Sequence, residues 1–366
     1  MYLKRIILNN FKNIRETCLE FSPRLNCISG NNGAGKTNLL DAVYYLSMTK
    51  SFFSVSDRYV YTHGAQDASL NGSYVMDDGS LEKIAIAVRR EGTKIVKRND
   101  KSYSKFSEHI GLLPIVMVSP ADSSLINDAG EERRKAMNFI LAQIDRNYLP
   151  NIQKFNQLLL ARNKYLKSDN IPQDLINAIT EQMTAPATYV YSARRQLCID
   201  LLPIVREYYS IISGGTEDVS MEYKSDLQTA SMEELMLGSQ SRDTLFRYTT
   251  VGPQRDDLLF LLDGHPIRKC GSQGQQKSFL LAVKLAQFAL MKRLYGVSPI
   301  LLLDDVFDKL DINRVKYLLK IVSSDEFGQI FVTDSNKIRL SSLTDAFSAD
   351  WSAFYVENGE FIKEDN

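Results

Sequence analysis

The stretch that most constrains this chain is Gly30-Asn31-Asn32-Gly33-Ala34-Gly35-Lys36-Thr37, a complete G-x-x-x-x-G-K-[ST] phosphate loop. Leu25, Cys27 and Ile28 alternate ahead of it as a short strand, and Asn38 to Leu46 continues it as a helix, the context the motif requires. The three glycines let the backbone turn its N–H groups inward, and the helix N-terminus adds roughly half a positive charge. A nucleoside triphosphate, ATP above all, therefore finds oriented donors from Gly30 to Thr37. Lys36 is expected to reach its β- and γ-phosphates, and Thr37 to ligate Mg²⁺.

A chain of 366 residues is too long for one ordinary core and predicts two domains, or one carrying a large insertion. Lys+Arg and Asp+Glu both number 44, so binding to a polyanion must rest on local basic patches. Cys18, Cys27, Cys198 and Cys270 form no C-x-x-C pair. They are expected to be small core hydrophobes of a reducing compartment rather than zinc ligands. Ile6-Ile7-Leu8 is too short for a signal peptide, and no apolar run reaches membrane-span length. A cytoplasmic protein is expected.

In chain order, residues 2–8 and 16–22 read as two strands around the turn Asn9-Asn10-Phe11-Lys12-Asn13. Ala68–Tyr74, Ile84–Arg90 and Thr93–Arg98 continue as an antiparallel β-meander. That meander carries Arg89, Arg90, Lys94, Lys97, Arg98, Lys101 and Lys105 against only Glu91 and Asp100. It is either a contact for nucleic-acid phosphates, with Arg89, Arg90, Lys97, Arg98 and Lys101 the candidates, or a solvated outer face. Leu113 to Val118 is a continuous apolar run suited to a strand buried on both faces.

From about Asp122 to Ser213 the apolar spacing turns helical, with Pro150, Pro172, Pro186 and Pro203 expected to divide it into moderate helices. Arms of at most about 60 residues, broken by prolines, exclude an extended coiled coil. Residues 213–246 read as polar loop. The expected division is a discontinuous head, 1–120 with 248–366, and an inserted, mainly helical lobe, 121–247.

Two further constellations carry chemistry. Ile300-Leu301-Leu302-Leu303 is a buried strand delivering Asp304 and Asp305 at its C-terminal edge, where nucleotides bind in open parallel sheets. Asp304 is the expected Mg²⁺ carboxylate, and Asp305 the group that orients or deprotonates the attacking water. Ser272-Gln273-Gly274-Gln275 opens a long apolar helix and is either a plain N-cap or a second anion site. If it is a second anion site, one nucleotide fills both sites when two chains meet head to tail, with Lys36 from one and Ser272 from the other.

A phosphate loop, a Ser-Gln-Gly-Gln signature, a double-aspartate strand end and then Asp308-Lys309-Leu310-Asp311, ordered around a helical insert, resemble the ABC-type ATPase heads of the SMC superfamily. Leu8 to Ile14, Ser119-Pro120-x-Asp122 followed by Arg133-Arg134, and Gly252-Pro253-Gln254-Arg255-Asp256-Asp257-Leu258 look like the RecF family of bacterial recombination mediators. The resemblance spans the chain. It implies an α/β ABC-type head with a mixed sheet and an antiparallel β-meander, and a weak, DNA-stimulated ATPase that pairs when ATP is bound. It also implies action with RecR and RecO at single-strand gaps, recognition of the junction with duplex DNA, and help to RecA against single-strand-binding protein. A transporter-type ATPase would show a membrane-coupling segment and a switch histidine, where this chain has Thr333-Asp334-Ser335. A nucleotide kinase would not need Ser272 to Gln275, and an SMC structural arm would need a longer insert. Departures are Gly271 ahead of the signature, Asp308 after the carboxylates, and Phe53 where relatives carry arginine. Arg133, Arg134, Arg194 and Arg195 are further DNA candidates, the first two alternatively pairing with Glu131 and Glu132.

Overall fold

The structure, a computed structural model, describes residues 1–54, 56–168, 172–215, 217–308, 310–337, 340 and 350–364. Lys309 of the expected Asp308-to-Asp311 segment lies outside them. Two compact units divide the chain, Met1–Asp122 with Val283–Asn366, and Ser123–Ala282. Residues 248–282, expected with the head, thus fall in the second unit.

The first unit opens with β1 (Tyr2–Phe11), β2 (Ile14–Glu20) and β3 (Leu25–Gly30), then α1 (Lys36–Met48) and β4 (Asp67–Val75), β5 (Leu81–Arg89), β6 (Lys94–Arg98), β7 (Lys101–Ser102) and β8 (Ile115–Val118). The second holds α2 (Ser124–Asn127), α3 (Gly130–Ile144), α4 (Tyr148–Leu166), α5 (Gln173–Ser213), β9 (Val219–Lys224), α6 (Met232–Phe246), β10 (Asp257–Leu262), β11 (His265–Pro266) and α7 (Ile267–Cys270). Helix α8 (Gln273–Tyr295) begins in the second unit and ends in the first, which closes with β12 (Ile300–Asp304), α9 (Ile312–Val322), β13 (Ile330–Asp334), β14 (Trp351–Glu357) and β15 (Glu360–Glu364).

Two six-stranded sheets build the first unit. The antiparallel one runs β2-β1-β4-β5-β6-β7. Its period-two alternation buries Leu70, Tyr74, Ile84, Ile86, Val88 and Val96 and leaves Lys83, Arg89 and Lys97 outward. The other runs β15-β14-β3-β13-β12-β8 and is parallel except for β15. Its strands β3, β8, β12 and β13 are buried at every residue, as unbroken apolar runs in a covered parallel sheet must be. Helix α1 touches strands of both sheets, and all of its residues except Thr37 and Asn38 are buried. Register then aligns Ser29 with Asp334 and Asp304 with Thr333, bringing the phosphate loop and the double aspartate to one sheet edge.

The second unit corrects three expectations. Pro186 and Pro203 lie inside the single helix α5 and do not divide it. A stripe including Ile176, Met183, Val190, Leu197, Leu201, Val205 and Ile212 is buried along its length, and that packing outweighs the roughly 3 kcal/mol local cost of an internal proline. Pro150 sits in the first turn of α4, where a proline removes no helical hydrogen bond. Residues 213–246 hold β9 and α6 instead of a loop, and β9 pairs antiparallel with β10 from Asp257↔Lys224 to Leu262↔Val219. This pairing ties residues 257–262 to the second unit. Only Cys27 and Cys198 are core thiols, each pushed up to about 12 by burial, while Cys18 and Cys270 are exposed. Among the described residues no helix is long and apolar enough to cross a membrane.

Candidate nucleotide site

The phosphate loop has the backbone its glycines allow. Gly30, Gly33 and Gly35 adopt φ of +150°, +80° and +124°. A Cβ on Gly30 would stand 2.3 Å from the Val356 carbonyl oxygen of the neighbouring strand. Asn31, Asn32 and Gly33 are exposed at the crest, and Ala34, Gly35 and Lys36 are buried. The Lys36 ammonium is folded across its own loop, donating to the Gly30 carbonyl at 2.8 Å and the Asn31 carbonyl at 3.1 Å. Those are weak neutral acceptors, so an incoming phosphate can take the ammonium from them with a charge-assisted bond.

Two braces hold this loop that sequence reasoning did not assign to it. The Asn13 side-chain amide donates to the Ala34 carbonyl at 3.2 Å and accepts from Asn38 Nδ2 at 2.7 Å. From the β14–β15 turn, the Gly359 N–H donates to the same Ala34 carbonyl at 2.8 Å. Gly359 has φ +83°, and a Cβ there would meet the Asn13 carbonyl oxygen at 2.4 Å. The first turn was visible as an Asn-rich segment, but its meeting with the β14–β15 turn at the loop is set by sheet order.

At the neighbouring strand end, Thr37 Oγ1 donates to the Asp304 carboxylate, 2.9 Å from one oxygen and 3.0 Å from the other, and Thr333 Oγ1 donates to it at 2.6 Å. Asp304 is 3% exposed. Burial raises its pKa above the usual carboxylate range, while the Thr333 and Thr37 hydroxyls pull the other way. A buried carboxylate bonded to the phosphate-loop threonine is the oxygen-donor pair that Mg²⁺ uses beside a nucleotide. The residues therefore fit the ion, and among the described residues no group of three or more His, Cys, Asp or Glu offers a self-sufficient metal cage. Asp305 follows at φ +47°, a left-handed conformation costing on the order of 1 kcal/mol for a non-glycine residue. Its N–H donates to the Thr333 carbonyl at 3.2 Å. Thr333 thereby steadies both aspartates.

Ser272 is exposed at the head of α8. Its Oγ accepts from the Gln275 N–H at 3.3 Å, and Gln275 Oε1 accepts from the Ser272 N–H at 2.7 Å, a reciprocal capping box. Gln275 Nε2 also donates to Glu217 Oε1 at 2.9 Å, and the other Glu217 oxygen accepts from the Tyr209 hydroxyl. Glu217 and Tyr209 were not foreseen, because nothing local in the sequence links residue 217 to residue 275. Gly271 is explained by crowding, since a Cβ would lie 2.8 Å from the Ile267 carbonyl oxygen. Gln273 is exposed and Gly274 half-buried, while Arg268 and Lys269 are exposed just upstream, giving this helix start a cationic surround.

Of the basic candidates, Arg89, Arg90, Lys97, Lys101 and Lys105 are exposed. Arg98 is held by Glu82 through two bonds of 2.9 and 2.6 Å, and Lys94 by Asp57 and the Thr49 carbonyl. Arg133 pairs with Asp257 at 2.7 Å and not with Glu131 or Glu132, which take Lys135. Arg134 donates to the Asp256 carbonyl at 2.7 Å. Arg194 is 1% exposed and bound to Asp256 at 2.6 Å, which removes it from any DNA surface, whereas Arg195 is exposed. Within the Gly252-to-Leu258 segment, Asp256 thus forms a buried ion pair with Arg194 and Asp257 a partly exposed one with Arg133.

A family described as RecF/RecN/SMC N terminal domain matches residues 2–349. "DNA replication and repair protein RecF" of Parabacteroides distasonis is 43% identical over 360 residues, covering 98% of each chain. That of Porphyromonas gingivalis is 41% identical over 365 residues, covering 99% of this chain and 100% of its own. Among solved structures, the recombination mediator protein RecF-ATPrS in the RecFOR pathway superimposes with a TM-score of 0.89 at 28% identity, covering 100% of this chain and 98% of that one. The Pyrococcus furiosus Smc head, at 15% identity and a TM-score of 0.59 over 99% of this chain and 96% of that one, shares the ABC-type head fold.

Proposed function

The chain belongs to the RecF family of SMC-type ATPases, and from that premise we propose that it is an ATP-binding protein of recombinational DNA repair and replication-gap recovery. ATP drives head-to-tail pairing on DNA and slow hydrolysis releases the pair. The observation that carries this reading is the joining of Thr37 to Asp304 beside a complete phosphate loop, in a chain whose Ser272 stands exposed on a helix start.

Within one chain, Gly30 to Thr37 cradle the triphosphate and Lys36 exchanges its carbonyl partners for phosphate oxygens. Thr37 and Asp304 are the residues that would hold Mg²⁺, which when bound neutralises charge on the β- and γ-phosphates. Asp305 orients the attacking water and accepts its proton. Ser272 to Gln275 meet the nucleotide of the partner copy, where a hydroxyl, N–H groups and the helix dipole favour the γ-phosphate. ATP thereby binds the paired state better than the single chain, and this differential affinity is the switch. Arg89, Arg90, Lys97 and Lys101 supply phosphate contacts to double-stranded DNA or to a gap junction, with RecR, RecO and RecA as the downstream partners.

The test is fluorescence anisotropy of labelled duplex and gapped DNA, with sedimentation of the protein, each with and without ATP. ATP is expected to raise both DNA affinity and the dimer fraction, and Lys36→Arg to suppress both. A chain that stays monomeric and indifferent to DNA with ATP bound refutes the reading.

A further inference from the structure

In the second unit the end of α6 is fastened to α4 by a buried polar network. The Arg162 guanidinium, 2% exposed, donates to Asp243 and to Thr249 Oγ1 at 2.8 Å each. Thr249 donates from its N–H and its hydroxyl to Asn163 Oδ1 at 2.8 and 2.7 Å, and Thr250 donates both of its hydrogens to Asp243 Oδ1. Such a network fixes one arrangement of the segments it joins. On top of it sits a surface that a folded chain ordinarily hides. Leu245, Phe246 and Tyr248 are 77%, 52% and 42% exposed, and Leu160 of α4 is 71% exposed. The Phe246 and Tyr248 rings lie 6.0 Å apart and 33° from parallel.

Exposed cations lie on both of the segments that this network joins. Lys164, Lys167, Arg242 and Arg247 are exposed. Lys164 lies four residues after Leu160 on α4, the spacing of one helix face, and Lys167 caps the end of that helix. No Asp or Glu occurs from 157 to 168 or from 244 to 255, and the adjacent Asp243 is fully buried against Arg162. A protein partner with an apolar face would be met without this excess of cations. A duplex would offer the cations its phosphates and leave the rings unused, because its bases are already stacked. A single strand uses both, since its bases stack on aromatic faces while its phosphates follow the charge.

We propose that this surface is a stacking platform for single-stranded nucleic acid, with Phe246 and Tyr248 taking bases and Lys164, Lys167 and Arg247 the phosphates between them. The proposal rests on the reading of the chain as a DNA-binding protein and names a ligand and a site for it distinct from the basic meander.

The test measures anisotropy of a fluorescein-labelled oligo-dT and of a duplex of equal length against the full chain. Phe246→Ala with Tyr248→Ala is expected to weaken oligo-dT binding by about fivefold or more for each ring lost and to leave duplex binding within about twofold. Phe246→Trp should keep the affinity, and its emission should be quenched by oligo-dT. The proposal is overturned if the double alanine variant, matched to wild type in thermal unfolding, binds oligo-dT unchanged. Equal losses for oligo-dT and duplex overturn it too, as does loss of self-association in place of oligo-dT binding. Wild-type binding to duplex but not oligo-dT removes the platform alone; binding to neither removes the DNA-binding reading with it.

Discussion

Glu217 offers the sharpest probe of how the Ser272 segment is held. Its carboxylate receives Gln275 Nε2 at 2.9 Å and the hydroxyl of Tyr209, a fully buried side chain on α5. Gln275 in turn receives the Ser272 N–H, so Glu217→Ala frees the side chain that caps the exposed serine. A hydrogen bond to a charged group contributes about 1.5–3 kcal/mol net, and the half-exposed position of Glu217 favours the lower end. A loss of about 1.5 kcal/mol in ordering each Ser272 segment weakens each composite site about tenfold. Two such sites close together in a symmetric pair, so ATP-driven association should fall about a hundredfold. Sedimentation velocity with a slowly hydrolysed ATP analogue reads this directly, and filter binding reads the nucleotide affinity of the single chain, which should not change. Glu217→Gln, which keeps one acceptor, should recover most of the association. Wild-type association by a folded Glu217→Ala protein refutes the reasoning, as does a loss confined to single-chain nucleotide affinity.

Three other perturbations have defined outcomes. Thr333→Val removes the 2.6 Å bond to Asp304 and should raise that carboxylate's pKa further, lowering ATP turnover about tenfold; Thr333→Ser should restore turnover, and both are checked by phosphate release across pH. Gly359→Ala forces a Cβ to 2.4 Å from the Asn13 carbonyl oxygen at φ +83°, so thermal denaturation should register a loss of about 1–3 kcal/mol and isothermal titration a weaker ATP affinity. His109 is fully buried, with Nε2 donating to the Leu46 carbonyl at 2.7 Å, and burial holds its pKa below the ordinary 6.5. The unfolded chain therefore takes up the proton first as pH falls below about 6.5. Stability present above that pH is lost on acidification, and His109→Gln should flatten this part of the profile of unfolding midpoint against pH.

The phosphate-loop half of the candidate site was legible in the sequence because its parts are local. A phosphate loop declares itself by spacing, and the apolar run 300–303 can only be a buried strand ending at Asp304. What escaped are couplings that cross the chain. Asn13 and Gly359 reach the loop only because β14 lies beside β3, and Glu217 reaches Gln275 only because β9 pairs with β10. Helix α6 was missed for a different reason. Only Met232, Met236, Ser239 and Asp243 of its residues are buried, so its apolar stripe is faint. Its start was nevertheless written in Ser231-Met232-Glu233-Glu234, a capping box that the structure forms. The prolines of α5 misled because a local penalty of a few kcal/mol is small beside the burial of a long apolar stripe. Arg194 misled as a DNA candidate because net charge alone cannot distinguish a solvated arginine from one locked to a buried Asp256.

A mixing experiment reaches the central claim, that one ATP is gripped by Lys36 of one chain and Ser272 of another. Lys36→Ala and Ser272→Arg proteins, each unable to form an intact site with itself, are combined in equal amounts and ATP turnover is followed. A composite site predicts that the mixture recovers about a quarter of wild-type turnover, since half of the pairs are mixed and each carries one intact site. A mixture no more active than its two components would contradict it.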